Sequence, residues 1–265
     1  MSQNDSALLR VANLSKHFGG LIAVNDVTMS FQPHKLHAII GPNGAGKTTY
    51  FNLLTGMFPP SAGKTFFKDQ DITHLGPDDT FRMRMVRTFQ ITSIFPMLSV
   101  LKNVEIAAQG RYRGSNSPLS RLTKKRPDIR RLCLERLEQF KLVDQAEQRA
   151  GLLAYGDKRR LEIVMGLVSD PELLLLDEPT AGMSPEETSE TARIIRDISS
   201  QVTVLLVEHD MRVVMGVSDR ITVLHQGSVL ADGRPDEIMA DPKVQAVYLG
   251  QAACEPEFRA GTLKG

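Results

Sequence analysis

The chain reads as an α/β protein built on a mainly parallel sheet with helices on both faces. Three short apolar runs predict this: Leu36-His37-Ala38-Ile39-Ile40, Leu173-Leu174-Leu175-Leu176 and Val202-Thr203-Val204-Leu205-Leu206-Val207. Unbroken runs of this length suit strands buried on both sides, as a helix-covered parallel sheet requires. Each run ends at once in glycine or charge, at Gly41, Asp177-Glu178 and Glu208-His209. Open α/β sheets bind ligands beyond the carboxyl ends of their strands, so three such ends predict a nucleotide site.

The remaining elements follow in chain order. Strands Leu8–Leu14 and Val27–Phe31 precede the first buried run, and a helix Thr48–Leu54 follows it. From about Pro96 to Ala150 charged residues alternate with apolar ones at helical spacing, including Leu132, Leu134, Leu137, Phe140 and Leu142. That stretch predicts a mostly helical lobe inserted between the first two buried strands. Within it Arg113–Pro127, rich in Ser, Gly, Pro, Lys and Arg, predicts an exposed loop. A helix is expected over Lys158–Val168, and a hairpin from Ile221–Leu224 and Ser228–Asp232 around Gln226-Gly227. Gln251–Gly265 reads as a loose tail. The expected organisation is a core in two parts, residues 1–95 and 161–250, a helical subdomain over 96–160, and the tail 251–265.

Composition narrows the function classes. With 265 residues, 42% apolar and 24% charged, the chain can bury one large core, and disordered or collagen-like classes are excluded. Thirty-two basic and 31 acidic residues nearly cancel, so no nucleic-acid partner is expected. Cys133 and Cys254 have no metal-ligand spacing, which fits a reducing compartment. No run approaches the ~18 apolar residues of a membrane span, and polar Met1–Leu9 carries no signal peptide. A cytoplasmic protein is expected, reaching a membrane only through a partner.

Gly41-Pro42-Asn43-Gly44-Ala45-Gly46-Lys47-Thr48 matches G-x-x-x-x-G-K-[ST] between a predicted strand and a predicted helix, the context this phosphate loop needs. Its glycines let backbone N–H groups surround phosphate oxygens, and the helix N-terminus adds positive potential. Lys47 would reach the β- and γ-phosphates of a nucleotide, and Thr48 would bind Mg²⁺. Downstream, Asp177 can hold Mg²⁺ directly or through water, while Glu178 can take a proton from the attacking water. Alone, such an acidic pair could simply cap the next helix. The upstream loop favours the P-loop NTPase interpretation.

Further motifs make the chain resemble the ATP-binding subunit of an ABC transporter over about residues 8 to 250. Leu153-Ala154-Tyr155-Gly156-Asp157 looks like the family's signature motif, and Ala181-Gly182-Met183-Ser184 sits at its D-loop. Gln90, after Arg87-Thr88-Phe89, matches the Q-loop glutamine, His209 the switch histidine, and Phe18 the adenine-stacking aromatic. The resemblance implies the ABC ATPase fold, with an N-terminal antiparallel β part and an inserted helical subdomain. It implies ATP and Mg²⁺ as ligands, with Gln90 beside Thr48 and Asp177 at the metal. Phe18, Val24, Gly41, Asn43, Gly44, Ala45, Gly46, Lys47, Thr48 and Thr49 would bind nucleotide, joined in trans by Ala154, Tyr155 and Gly156 of a second subunit. Glu178 would be the general base and His209 the γ-phosphate sensor.

Narrower features, Arg159-Arg160-Leu161-Glu162-Ile163, Val207-Glu208-His209-Asp210-Met211 and Tyr248-Leu249-Gly250, look like the importer subgroup for branched-chain amino acids. Urea and amide importers are near relatives. An exporter ATPase, or a soluble ABC ATPase of translation or repair, fits less well, because the chain has one cassette, a modest insert and the Tyr155-Gly156 signature. The implied partners are a second ATP-binding subunit, itself or a companion, transmembrane permease subunits and, indirectly, a solute-binding protein. The implied place is peripheral, on the cytoplasmic face of the inner membrane. The chain departs from the family at Ala154, where serine is usual, at Ser184, and at Asp157, where glutamine is usual. A carboxylate at 157 suits a helix N-terminus but is a like charge toward ATP.

Overall fold

A computed structural model of the chain describes residues 7–88, 94–113 and 128–252. The first layer is antiparallel. Strands β1 (Leu9–Phe18) and β2 (Leu21–Phe31) form a hairpin turned at Gly19-Gly20, and β4 (Ala62–Phe67) and β5 (Gln70–Asp71) complete the sheet in the order β2-β1-β4-β5. The second sheet has the order β10-β9-β3-β8-β7-β6. Its strands are β3 (Leu36–Ile40), β6 (Met85–Arg87), β7 (Leu173–Asp177), β8 (Thr203–Val207), β9 (Arg220–His225) and β10 (Ser228–Gly233). All neighbours pair in parallel except β9 and β10, which form the late hairpin.

Every residue of β3, β7 and β8 is buried. The two faces of β7 serve different cores. Leu174 and Leu176 pack with the helical lobe, while Leu173 and Leu175 pack with the antiparallel sheet and helix α1 (Lys47–Leu54). Side chains alternate across a strand, so a strand covered on both sides must be apolar at consecutive positions.

The lobe between β6 and β7 is helical. It contains α3 (Val100–Arg113), α4 (Ile129–Gln139) and α5 (Tyr155–Leu167), which pack on one another around Val104, Cys133, Leu137 and Leu161. Helix α2 (Pro77–Arg82) precedes β6, and α6 (Pro185–Ile198), α7 (Met211–Val217), α8 (Pro235–Ala240) and α9 (Pro242–Ala252) follow β7.

Several sequence expectations change. β1 and β2 extend to Phe18 and back to Leu21, and the strands β4, β5 and β6 were not anticipated. Helix α5 begins at Tyr155 rather than Lys158, and the divide set between residues 160 and 161 falls inside it. Residues 251–252 belong to α9. The rest of the expected tail, and most of the Arg113–Pro127 loop, lie outside the described residues.

Candidate functional site at the strand ends

The phosphate loop leaves β3 at Gly41 and enters α1 at Lys47. Gly44 and Gly46 hold φ of +78° and +97°, conformations that glycine adopts without steric cost. A Cβ on Gly46 would lie 2.3 Å from the Ala23 carbonyl oxygen, and one on Gly41 would lie 2.1 Å from that of Leu224. The loop is thus wedged between β2 and the β9–β10 hairpin, with the Gly227 N–H donating to the Ala45 carbonyl at 3.0 Å. Gly46 caps α1, and no side-chain hydrogen bond caps the helix. Its first-turn N–H groups therefore form a backbone anion site.

Lys47 lies inside this loop. Its Nζ donates to the carbonyls of Gly41 at 2.6 Å and Pro42 at 3.0 Å. Burial holds its pKa below the usual lysine value, while the nearby charges of Glu178 and Asp177 act in the opposite direction. The loop lysine and both strand-end carboxylates thus share one electrostatic neighbourhood. Asn43, Gly44 and Thr48 are exposed on the loop, Thr49 is half-buried, and Ala45 is buried. Val24, expected among the nucleotide-binding residues, is only 1% exposed and packs in the core that also holds Ala45 and Leu224. It supports the loop from beneath. Phe18 is 43% exposed and meets Phe58 edge to face, with the rings 5.8 Å apart. From the other end of the chain, burial pushes the Tyr248 phenol up to about 12, against the pull of a hydrogen bond with the Gly41 backbone.

Asp177 closes β7. Its Oδ2 accepts from Arg87 Nη2 at 2.7 Å, and Arg87 Nη1 donates to Asn52 Oδ1 at 2.5 Å, so one guanidinium ties β6, β7 and α1 together. Asp177 Oδ1 is buried and has no hydrogen-bond partner among the described residues. An orphaned buried carboxylate oxygen is costly unless a cation or its water completes it, and Mg²⁺ on nucleotide phosphates needs only one or two protein carboxylates. The donor set therefore fits Mg²⁺. Glu178 has φ of +49°, a left-handed backbone unusual for a non-glycine residue. Its N–H donates to the Val207 carbonyl at 2.8 Å, binding it to the end of β8. Two residues past that end, the His209 side chain is 64% exposed, with Nδ1 3.7 Å from Glu208 Oε2. Gln90 lies outside the described residues.

The signature forms a second anion-facing helix start. Ala154 is the N-cap of α5, its carbonyl accepts from the Lys158 N–H at 3.0 Å, and no side-chain cap is present. The first-turn N–H groups of Tyr155, Gly156 and Asp157 therefore have no partner within the helix. Gly156 permits close packing, since a Cβ there would lie 2.7 Å from Glu187 Oε1. The Tyr155 ring lies over Gly182 of the D-loop, and Ser184 forms a reciprocal capping box with Glu187 at the start of α6. Asp157 is not a bare charge. Arg160 Nη2 lies 3.1 Å from its Oδ1, Gln145 donates to its Oδ2 at 3.2 Å, and Arg160 continues to Glu190 at 3.2 Å. Lys141 also bonds Glu190.

Sequence reasoning missed Asn52, Thr180 and the roles of Arg87 and Glu208. Arg87 and Glu208 lay inside quoted motifs, but nothing in the sequence pairs them with Asp177 and Thr180.

The chain is similar to known proteins over most of its length. Residues 24–181 match the family model described as ABC transporter, and residues 228–253 match one described as branched-chain amino acid ATP-binding cassette transporter. The high-affinity branched-chain amino acid transport ATP-binding protein LivG of Escherichia coli is 44% identical over 255 residues, 92% of this chain and 98% of LivG. BraF of Pseudomonas aeruginosa, carrying the same description, is 42% identical over 254 residues, 92% of this chain and 98% of its own length. The crystal structure of an ATP-binding cassette of an ABC transporter in its ADP conformation superposes with a TM-score of 0.80 at 29% identity, covering 92% of this chain and 99% of that one. The chain belongs to the ABC transporter family, as one of its ATP-binding, ATP-hydrolysing subunits.

Proposed function

We propose that this chain powers the import of branched-chain amino acids from the cytoplasmic face of the inner membrane, with Mg²⁺-ATP bound between two ATP-binding subunits. The observation that carries the catalytic reading is the convergence of Lys47, Asp177 and Glu178 beyond the ends of β3 and β7, the two strands that flank β8. The solute assignment rests on the two branched-chain relatives and on the C-terminal match over residues 228–253.

In this reading the loop N–H groups and Lys47 bind the phosphates, releasing Lys47 from its carbonyl contacts. Thr48, Gln90 and the Oδ1 of Asp177 would hold Mg²⁺, which would supply neutralisation of phosphate charge when bound. Arg87 orients Asp177 by donating to its Oδ2. Glu178 accepts the proton of the attacking water, and His209 contacts the γ-phosphate. Phe18 packs on the base. The signature N–H groups of Ala154–Gly156 face the phosphates of the nucleotide on a second subunit, itself or a companion.

Permease subunits would dock on the helical-lobe side. Phe95, Met97, Leu98 and Leu152 form an exposed apolar set there, on segments joined by the hydrogen bonds Ala150 N–H to Leu98 and Gly151 N–H to Pro96. A cleft of about 430 Å³ lies nearby, between Thr55, Phe81 and Thr88 on one side and Ile106 and Met165 on the other. No helix among the described residues is long and apolar enough to cross a membrane.

Uptake of labelled leucine in cells lacking this chain tests the reading. Restoration by the parent chain but not by Lys47→Ala is expected. Unchanged leucine uptake in the deletion, with loss of urea or amide uptake, would replace the solute assignment.

A further inference from the structure

Glu208 is a buried carboxylate beside the proposed catalytic residues that has no part in the proposed function so far. Its side chain is 0% exposed. Oε1 accepts from Thr180 twice, from the N–H at 2.9 Å and from the O–H at 2.6 Å. Oε2 accepts from the His209 N–H at 3.2 Å and lies 3.7 Å from His209 Nδ1. A carboxylate is rarely buried so fully unless hydrogen-bonded or paired. Among the described residues, the His209 ring is the one basic side chain within 4 Å of the carboxylate.

The partners stand at informative places. Thr180 lies two residues after Glu178, and His209 follows Glu208 directly. The Glu178 N–H also donates to the Val207 carbonyl at 2.8 Å. The ends of β7 and β8 are therefore tied together twice, once through main chain and once through the Glu208 carboxylate.

We propose that Glu208 is a positioning residue for ATP hydrolysis, clamping the loop of Glu178 through Thr180 while orienting the imidazole of His209. Glu208 Oε2 accepts from the His209 N–H at 3.2 Å, which fixes the main chain from which the imidazole projects. This is the role of the third group in a nucleophile–base–orienter arrangement. Because Glu178 has a left-handed backbone, its direction depends on the neighbours that hold the loop. The Thr180 clamp is one of them. Glu208 is buried, and its contacts run to Thr180 and His209. The proposal rests on the assignment of Glu178 and His209 made above.

The test uses the purified full chain and compares the parent with Glu208→Gln, Thr180→Val, Thr180→Ser, the Glu208→Gln/Thr180→Val double variant and Glu178→Gln. Glu208→Gln keeps the size and one acceptor but removes the charge. Its kcat is expected to fall about tenfold or more, with KM for ATP within about twofold of the parent, since only the reacting geometry is lost. Thr180→Val should show the same split, Thr180→Ser should restore kcat, and the double variant should lose less than the product of the single losses. Thr180→Val and its rescue keep the proposal open to refutation if Glu208→Gln does not fold. Unchanged kcat in a folded Glu208→Gln, or a loss confined to KM, overturns the proposal while Glu178→Gln still abolishes hydrolysis. Parent-level hydrolysis by Glu178→Gln overturns the general-base assignment, and the proposal with it.

Discussion

Helices α1 and α5 both start without a side-chain cap, and their starts are built by opposite means. At α1 the main chain does the work. Gly44 and Gly46 hold positive φ, Gly41 and Gly46 sit against the backbone carbonyls of Leu224 and Ala23, and a lysine is drawn into the loop. At α5 the cap residue Ala154 has φ of −57°, and packing is left to side chains: Glu187 against Gly156, Tyr155 over Gly182, and Arg160 on Asp157. The first start carries its own cation. The charge in the first turn of the second is Asp157, already engaged by Arg160. If the α5 start faces a nucleotide on a second subunit, as proposed, it serves as a lid on charge that Lys47 meets in the other subunit.

The largest expected effect breaks the comparison at the chemistry, on the α1 side. Glu178→Gln should lower hydrolysis by about 10²–10⁴-fold, the usual consequence of losing a general base, with ATP binding retained. Lys47→Ala should lose ATP binding instead. Calorimetric binding and phosphate release measured side by side separate the two roles. Near-parent hydrolysis by Glu178→Gln would sink the assignment.

The asymmetry also governs what could be read without a structure. Buried on both faces, β3, β7 and β8 had to be apolar at nearly every position, so their runs stood out. β4 buries only Thr65 and Phe67, and β6 is three residues held by its pairing with β7, so neither leaves a periodic signal. The phosphate loop was legible because its glycines answer a local backbone demand. The start of α5 was not. Gly156 lowers helix propensity, and the packing against Glu187 that accommodates it comes from a residue 31 positions away, a separation that no local pattern encodes. Glu208 was visible as an acid, but its burial follows from Thr180 on another strand end.

A second effect concerns acid, and it acts beneath the phosphate loop. His37, in β3, is buried, and its Nε2 donates to Thr222 Oγ1 at 2.8 Å, which donates to Asp232 at 2.8 Å. Burial lowers its pKa from 6.5 to about 4, with Asp232 pulling upward and Arg220 downward. The unfolded chain therefore takes up this proton first as pH falls. The contribution of neutral His37 is complete above pH 6.5 and is lost between 6.5 and 4, amounting to about 3 kcal/mol. Denaturant midpoints of the parent should fall across that window more steeply than those of His37→Gln, which keeps a donor and does not titrate. Parallel curves would show that His37 is not the titrating group.

Alanine at one glycine of each helix start sharpens the contrast in stability. Gly46→Ala forces a Cβ at φ of +97° and 2.3 Å from the Ala23 oxygen, at a cost of about 1–3 kcal/mol from the backbone alone. Gly156→Ala meets the end of the flexible Glu187 side chain at 2.7 Å. The disturbed capping box there is offset by alanine's helix propensity, so the net change should stay within about 1 kcal/mol. Urea unfolding of both variants checks the order, and a larger loss at Gly156 would reverse it.

The smallest expected effect is at Asp157, where the sequence alone suggested a charge unfavourable to ATP. The carboxylate is half-buried and shared between Arg160 and Gln145, and Arg160 is held in turn by Glu190. With a cation 3.1 Å away, the field reaching a phosphate at the α5 N-terminus is largely that of a neutral pair. Removing the negative charge would leave Arg160 to Glu190 and cost part of an ion pair, of the order of 1 kcal/mol for a partly exposed site. Asp157→Asn should therefore lower stability slightly and leave ATP-dependent dimerisation, followed by ultracentrifugation of the Glu178→Gln form, within about threefold of the Asp157 parent. Charge effects are strongest at low salt. A pronounced tightening there would mean that Asp157 does oppose the nucleotide and that Arg160 fails to shield it.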